Sequence, residues 1–170
     1  YTTLLTDFLE SYLLAKPKTK KLIMFTDGCA YQNKNSVLSN ALFHFVRTRN
    51  IIIHHKYLTK GHTQMEVDGV HSMIERKKKN REIYLPTDYI AICRKTRLSQ
   101  PFTVRYVTHE VFKDFSNLRS YDSIRPGTRR GDPMVNDIVA MKYTADEIIY
   151  KLDYNSDYQK YNKIPQIDKY

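Results

Sequence analysis

Apolar residues in the first part of the chain alternate between helical stripes and short β-like runs. Leu4, Leu5, Phe8, Leu9, Tyr12 and Leu13 form a stripe at helical period, the signature of an amphipathic helix. Lys16-Pro17-Lys18 ends it, because a residue before proline avoids the α region. Leu22-Ile23-Met24-Phe25-Thr26 is a continuous apolar run, too short for a core helix. It predicts a strand buried on both faces, ending at the turn signal Asp27-Gly28. Val37, Leu38, Ala41, Leu42, Phe45 and Val46 predict a second amphipathic helix. The β-branched stretch from Ile51 to Leu58 predicts a second strand. A third helix is expected from about Glu66 to Lys78.

The resulting order of helix, strand, helix, strand, helix argues for an α/β sheet with parallel neighbours and covering helices. Beyond it the pattern weakens. A short helix is expected around Tyr89, Ile90, Ile92 and Cys93, with Thr87 or Asp88 as its cap. Phe102–Val107 alternates like a strand, and His109–Phe115 reads as one or two helical turns. Asn117–Pro133 reads as a linker. Asp137–Tyr143 and Glu147–Leu152 look like a pair of strands in a small appendage. The chain opens on Tyr1 within a helical pattern, which reads as a fragment.

Composition narrows the function classes. Of 170 residues, 28 are Lys or Arg and 18 are Asp or Glu, a net charge of +10 that favours a polyanionic partner. The charge is uneven, with 14 basic and 7 acidic residues in 1–85 against 14 and 11 in 86–170. No apolar stretch approaches the ~18 residues of a membrane span, and the two cysteines are too few for a disulfide framework. An intracellular, reducing compartment follows. Cys29 is expected to be buried, with no base beside it to make a nucleophile. The 14 tyrosines are either base-stacking surfaces or ordinary fill.

In open α/β sheets, sites gather at the carboxyl ends of strands, and Asp27 is expected at one such end. On the third helix, an advance of ~100° per residue sets Val67, Val70 and Ile74 on a buried arc. His71, Glu75 and Asp68 follow along one edge, and Glu66 lies on the other. That edge is either a solvated helix face or one side of an acidic site. Asp27 with Asp68 or Glu75 would make an oxygen-only site suited to Mg²⁺ or Mn²⁺, of the kind that activates water in phosphodiester cleavage.

Two longer stretches carry a resemblance. Asp27-Gly28-Cys29-Ala30-Tyr31-Gln32-Asn33-Lys34-Asn35 and Gly61-His62-Thr63-Gln64-Met65-Glu66-Val67-Asp68-Gly69-Val70-His71-Ser72-Met73-Ile74-Glu75 resemble the paired signatures of an uncharacterised eukaryotic family with a transposase-derived, RNase H-like domain. The resemblance spans about residues 1–115, leaving 116–170 as a linker and a small β-rich, mixed α/β extension. It implies the later half of an RNase H-like fold, with three antiparallel strands and the first metal-binding aspartate upstream of Tyr1. By the same analogy Asp27 is the second acid. The third lies on the last helix, with Asp68 ahead of Glu75 and Glu66 set apart by its angle. A parent that cleaves or transfers DNA strands is implied, with this fragment inactive by itself. So is a nuclear location.

Other polar residues admit two readings. Gln32, Asn33, Lys34 and Asn35 either cap a helix or offer its start to a phosphate. His62 either shapes its loop or contacts the scissile phosphate. Arg76, Lys77, Lys78, Lys79 and Arg81 are a solvated helix end favoured by the dipole, a track for a DNA backbone, or a nuclear-import signal. His54 and His55 read as packing residues. Two further functions stand beside the enzyme: a domesticated nucleic-acid-binding module that has lost cleavage, and a scaffold that binds other proteins.

Overall fold

A computed structural model describes residues 1–59, 61 and 65–161. They form a mixed α/β protein with a five-stranded mixed sheet in the order β1-β2-β3-β4-β5. By compactness the chain divides into two units, residues 1–63 with 112–170 and residues 64–111.

The first unit begins with α1 (Thr2–Ala15), β1 (Lys21–Thr26), the single turn α2 (Ala30–Asn33), α3 (Ser36–Arg49) and β2 (Ile52–Tyr57). β1 and β2 pair in parallel, from Lys21 opposite Ile52 to Thr26 opposite Tyr57. A parallel pair requires a crossover, and α3 supplies it. Asn35 starts this helix by accepting a hydrogen bond from the Leu38 N–H at 2.9 Å. Asn50 ends it in the left-handed region (φ 48°), a conformation that asparagine tolerates better than most residues.

The described residues after 115, expected as a linker with a small extension, add three strands to the same sheet. β3 (Ala140–Tyr143) pairs antiparallel with β2, β4 (Ile148–Lys151) with β3, and β5 (Gln159–Lys160) with β4. The core joins Leu38, Leu42, Phe43 and Val46 of α3 to Ile53, Met141, Tyr143 and Ile148 of the sheet. Asn40 binds the returning segment to α3. Its Nδ2 donates to the Tyr121 carbonyl at 2.8 Å, and its Oδ1 accepts from the N–H groups of Tyr121 (2.8 Å) and Ser120 (3.2 Å). Tyr121 then accepts the Ile148 N–H on its hydroxyl at 2.9 Å, so one buried amide links α3, the loop and β4.

Several expectations need correction. β1 is open on one face, with Ile23 and Phe25 exposed and only Leu22 and Met24 packed on the core. β1 is an edge strand, and an apolar run does not reveal which face is covered. The α1 stripe is split, with Leu9 buried, Leu5 and Leu13 half-buried, and Leu4 and Phe8 exposed. Cys29 is exposed, while Cys93 is buried.

The second unit holds α4 (Glu66–Lys78) and α5 (Pro86–Lys95), which pack together. α4 begins and ends where its pattern places it. However, it has no buried residue, and Val67 is exposed rather than on a buried arc. α5 begins earlier than its polar residues suggest, at Pro86 in the first turn. Asp88 lies inside the helix and accepts the Leu85 N–H at 2.9 Å. Phe102–Val107 forms no strand despite its alternation, and His109–Val111 makes a single 3₁₀ turn. Among the described residues no helix is long and apolar enough to cross a membrane.

His55 is fully buried on the core face of β2, and burial lowers its pKa to about 3. The unfolded chain takes up this proton below about pH 6.5, whereas the folded chain does not. The stability from His55 is therefore complete above about 6.5 and falls as pH drops toward 3. The unfolding free energy from urea titrations should decline across this window at up to about 1.4 kcal/mol per pH unit, and the decline should be shallower in His55→Gln. Separately, Asn40→Ala should cost about 3 kcal/mol in urea unfolding, because it strands the buried N–H and carbonyl of Tyr121.

Candidate functional site

The carboxyl end of β1 gathers the polar residues of the first motif. The strand leaves the sheet at Asp27, and the chain turns through Gly28 and Cys29 into α2. Asp27 is half-buried. Its Oδ1 accepts from Asn33 Nδ2 at 2.5 Å and from the Cys29 N–H at 3.2 Å. Asn33 Nδ2 also donates to the Asp27 carbonyl at 3.3 Å. These bonds fix the carboxylate direction and leave Oδ2 without a hydrogen-bond partner among the described residues.

Asn33 is 4% exposed, and a chain of polar groups runs beneath it. Its carbonyl accepts the Tyr57 hydroxyl at 3.1 Å. That hydroxyl is 3.3 Å from His55 Nδ1, and His55 Nε2 is 2.8 Å from the Thr26 hydroxyl. Thr26 also donates to the Asp27 carbonyl at 3.2 Å, closing a ring from Asp27 through the core and back. Burial keeps His55 neutral and raises Tyr57 well above its ordinary pKa, so neither titrates near neutrality. The side-chain Oδ1 of Asn33 is buried with no hydrogen-bond partner among the described residues.

The other polar residues of this motif have separate places. Lys34, expected on a nucleic-acid surface, is buried. Its Nζ donates to the Asn136 carbonyl at 3.0 Å and lies 4.7 Å from the Tyr57 ring centre. Burial lowers its pKa, and the nearby Asp137 carboxylate partly opposes that shift. Asn35 caps α3. Gln32 is exposed.

The remaining acids belong to the second unit. Asp68 stands in the first turn of α4, and its Oδ2 accepts the Met65 N–H at 2.8 Å. This is the inward half of a capping box. Glu75 pairs with Lys78 at 2.8 Å on an exposed helix face, and that hydrogen bond raises the Lys78 pKa. Arg76, Lys77, Lys79 and Arg81 are exposed, as is Glu66. His62 lies outside the described residues. Among the described residues no group of three or more His, Cys, Asp or Glu side chains is arranged to hold a metal ion. In kind, the donors suit a hard cation, since Asp27 offers a free carboxylate oxygen.

A family model described as "Domain of unknown function (DUF8701)" matches residues 2–117. The chain belongs to that family. The DUF8701 match takes in every helix from α1 to α5 and both strands of the parallel pair, but ends before β3. The shared part therefore contains both motifs, while the antiparallel strands that complete the sheet lie beyond it. No curated protein and no solved structure gives a significant match to the chain.

Sequence reasoning missed the ring under Asp27. One signal was available: Ile53, His55 and Tyr57 alternate on one strand, so a polar pair shares the face of a buried isoleucine. The DUF8701 motif should therefore show graded stability effects in urea unfolding. Asn33→Ala should cost about 2 kcal/mol, since it removes a hydrogen bond to a charged group. Asn35→Ala should cost about 1 kcal/mol through its cap, and Gln32→Ala should stay within about 0.5 kcal/mol. Equal costs at all three positions would contradict these separate roles.

Proposed function

We propose that the domain belongs to a transposase- or integrase-like protein with an RNase H-like core, whose full-length parent cleaves or transfers phosphodiesters with Mg²⁺ or Mn²⁺. The observation that carries this reading is Asp27, a half-buried acid at the carboxyl end of a parallel strand, aimed by Asn33 and the Cys29 N–H with one oxygen left over. Strand ends of this kind are where open α/β sheets place their sites. β1 is also the last strand on its side of the sheet. A further strand carrying the first acid, which the resemblance sets ahead of Tyr1, has that edge to join.

In this reading Asp27 and Asp68 are metal ligands, and Glu75 is a third acid. A bound divalent cation supplies an activated water and charge for the leaving oxygen. The chain's own residues do the rest. Asn33 holds the Asp27 carboxylate in one orientation, and the neutral His55–Tyr57 pair supports that hold without adding charge. Arg76, Lys77, Lys79 and Arg81 contact the phosphate backbone, with Lys78 joining them once freed from Glu75. DNA in the nucleus is the expected substrate.

A second reading is favoured by a specific observation. Asp68 is engaged in capping and Glu75 in an ion pair, while most of the basic run at the end of α4 is exposed. A domain that kept nucleic-acid binding and lost cleavage would have this arrangement. The two readings part in one assay. The full-length parent should nick supercoiled DNA with Mn²⁺, and Asp27→Asn should reduce the rate at least a hundredfold, in the range for loss of an electrostatic catalytic group. Nicking that survives Asp27→Asn would remove Asp27 from the chemistry. Binding with a steep salt dependence and no nicking by the parent would favour the second reading.

A further inference from the structure

The sheet has two unlike faces. One carries Leu22, Met24, Ile53, His55, Met141 and Tyr143 and forms the core with α1 and α3. The strand registers define the other. Ile23, His54, Lys142 and Ile149 lie side by side in one row, and Phe25, Lys56, Ala140 and Lys151 in the next. Paired residues point to the same side of a sheet, so these rows share one face, with Lys21 beside Ile52 at its end; among the described residues it is exposed at β1 and half-buried beyond, with Ala140 buried. Ile23 and Phe25 are 52% and 55% exposed.

This face combines apolar and cationic groups. Lys56 Nζ lies 5.7 Å from the Phe25 ring centre. Tyr158 lies against the far half of the face, its hydroxyl 3.2 Å from His54 Nδ1 and its ring 4.8 Å from Lys151 Nζ and 5.9 Å from Lys142 Nζ. His54 senses the local field. Burial lowers its pKa first, and then the ammoniums of Lys21, Lys142, Lys56 and Lys151 lower it further, with no carboxylate among the causes. The β1–β2 part of this face thus combines lysines with an exposed aromatic ring at its edge.

We infer that this open sheet face binds a single-stranded nucleic acid, with unpaired bases stacked on Phe25 and phosphates held by Lys21, Lys56, Lys142 and Lys151. Charge complementarity selects a polyanion, and the aromatic ring selects one with free base faces. Stacking platforms flanked by lysines bind single strands with little sequence preference. On sheets this is a recurring way to hold unpaired bases. A duplex keeps its bases stacked on each other, so it can use the lysines but not the ring. The inference uses none of Asp27, Asp68, Glu75 or the basic end of α4, and therefore stands or falls apart from the cleavage reading.

The test uses the 170-residue chain and a fluorescein-labelled oligothymidylate of about 20 nucleotides, with a duplex of the same length as the comparison. Anisotropy should show single-strand binding that weakens steeply between about 50 and 200 mM salt. Phe25→Ala should weaken it about tenfold with little effect on the duplex, and Phe25→Trp should restore it. Lys56→Glu with Lys142→Glu should weaken both forms at least tenfold and lower the salt slope by about 2. This pair gives a second reading if Phe25→Ala alters the fold by circular dichroism. Three results would overturn the inference: single-strand affinity unchanged by both sets of substitutions, polyglutamate competing as well as unlabelled oligothymidylate, or a dimer in sedimentation that Phe25→Ala dissolves. The second would assign the face to an acidic protein segment, and the third to another copy of the chain.

Discussion

A buried imidazole holds the end of the parallel pair together. His55 is inaccessible to solvent at the centre of the sheet, where a charged ring would be costly and a neutral ring needs partners. Thr26 on β1 and Tyr57 on β2 provide them. Thr26 and Tyr57 are opposite each other in the parallel register, so the histidine secures both strands at the point where they leave the sheet. Tyr57 then reaches the Asn33 carbonyl, and Asn33 reaches Asp27. The Asp27 carboxylate at this strand end is thus positioned from the core outward. Tyr57 carries further connections, with Lys34 over its ring and the Met141 sulfur 3.2 Å from its hydroxyl. Losing that hydroxyl would take away the contact made to the Asn33 carbonyl and to His55 Nδ1.

Local pattern carried much of the fold into the sequence. α1, β1, α3, β2 and α4 lie where their periods place them, because each buries or exposes a face at its own repeat. What escaped was non-local. The antiparallel strands Ala140–Tyr143 and Ile148–Lys151 are legible as strands, but the place of the first beside β2 depends on a partner more than 80 residues away, and the second enters the sheet by pairing with the first. Leu22–Phe25 reads the same whether one face is covered or both. Phe102–Val107 alternates, yet alternation without a neighbouring strand leaves backbone groups to solvent rather than to a ladder.

The candidate site was legible to a different degree. Asp27 stands at a strand end, as the turn signal indicates, and Asn35 caps the following helix. Asn33 and Lys34 are less open to sequence reasoning, since a polar residue after a strand can face either way. Here both turn inward, and much of the motif serves to build the crossover loop that presents one acid. On α4, Asp68 and Glu75 have local partners: a backbone N–H and a lysine three residues on. Such contacts satisfy a helix surface and are also the kind that a cation or phosphate can displace. Two of the basic groupings differ in legibility: the end of α4 is a run in sequence, and the one on the sheet face is not. The second is assembled by strand register from lysines as distant as Lys21 and Lys151.

The central claim is that the Tyr57 hydroxyl transmits order from the core to the Asp27 loop. Amide hydrogen exchange in wild type and Tyr57→Phe tests it most directly. The account predicts that the amides of residues 27–35 exchange about tenfold faster in the variant, as expected for one lost hydrogen bond, while those of α1 stay unchanged. Unchanged exchange across 27–35, or an equal rise throughout the sheet and helices, would contradict it.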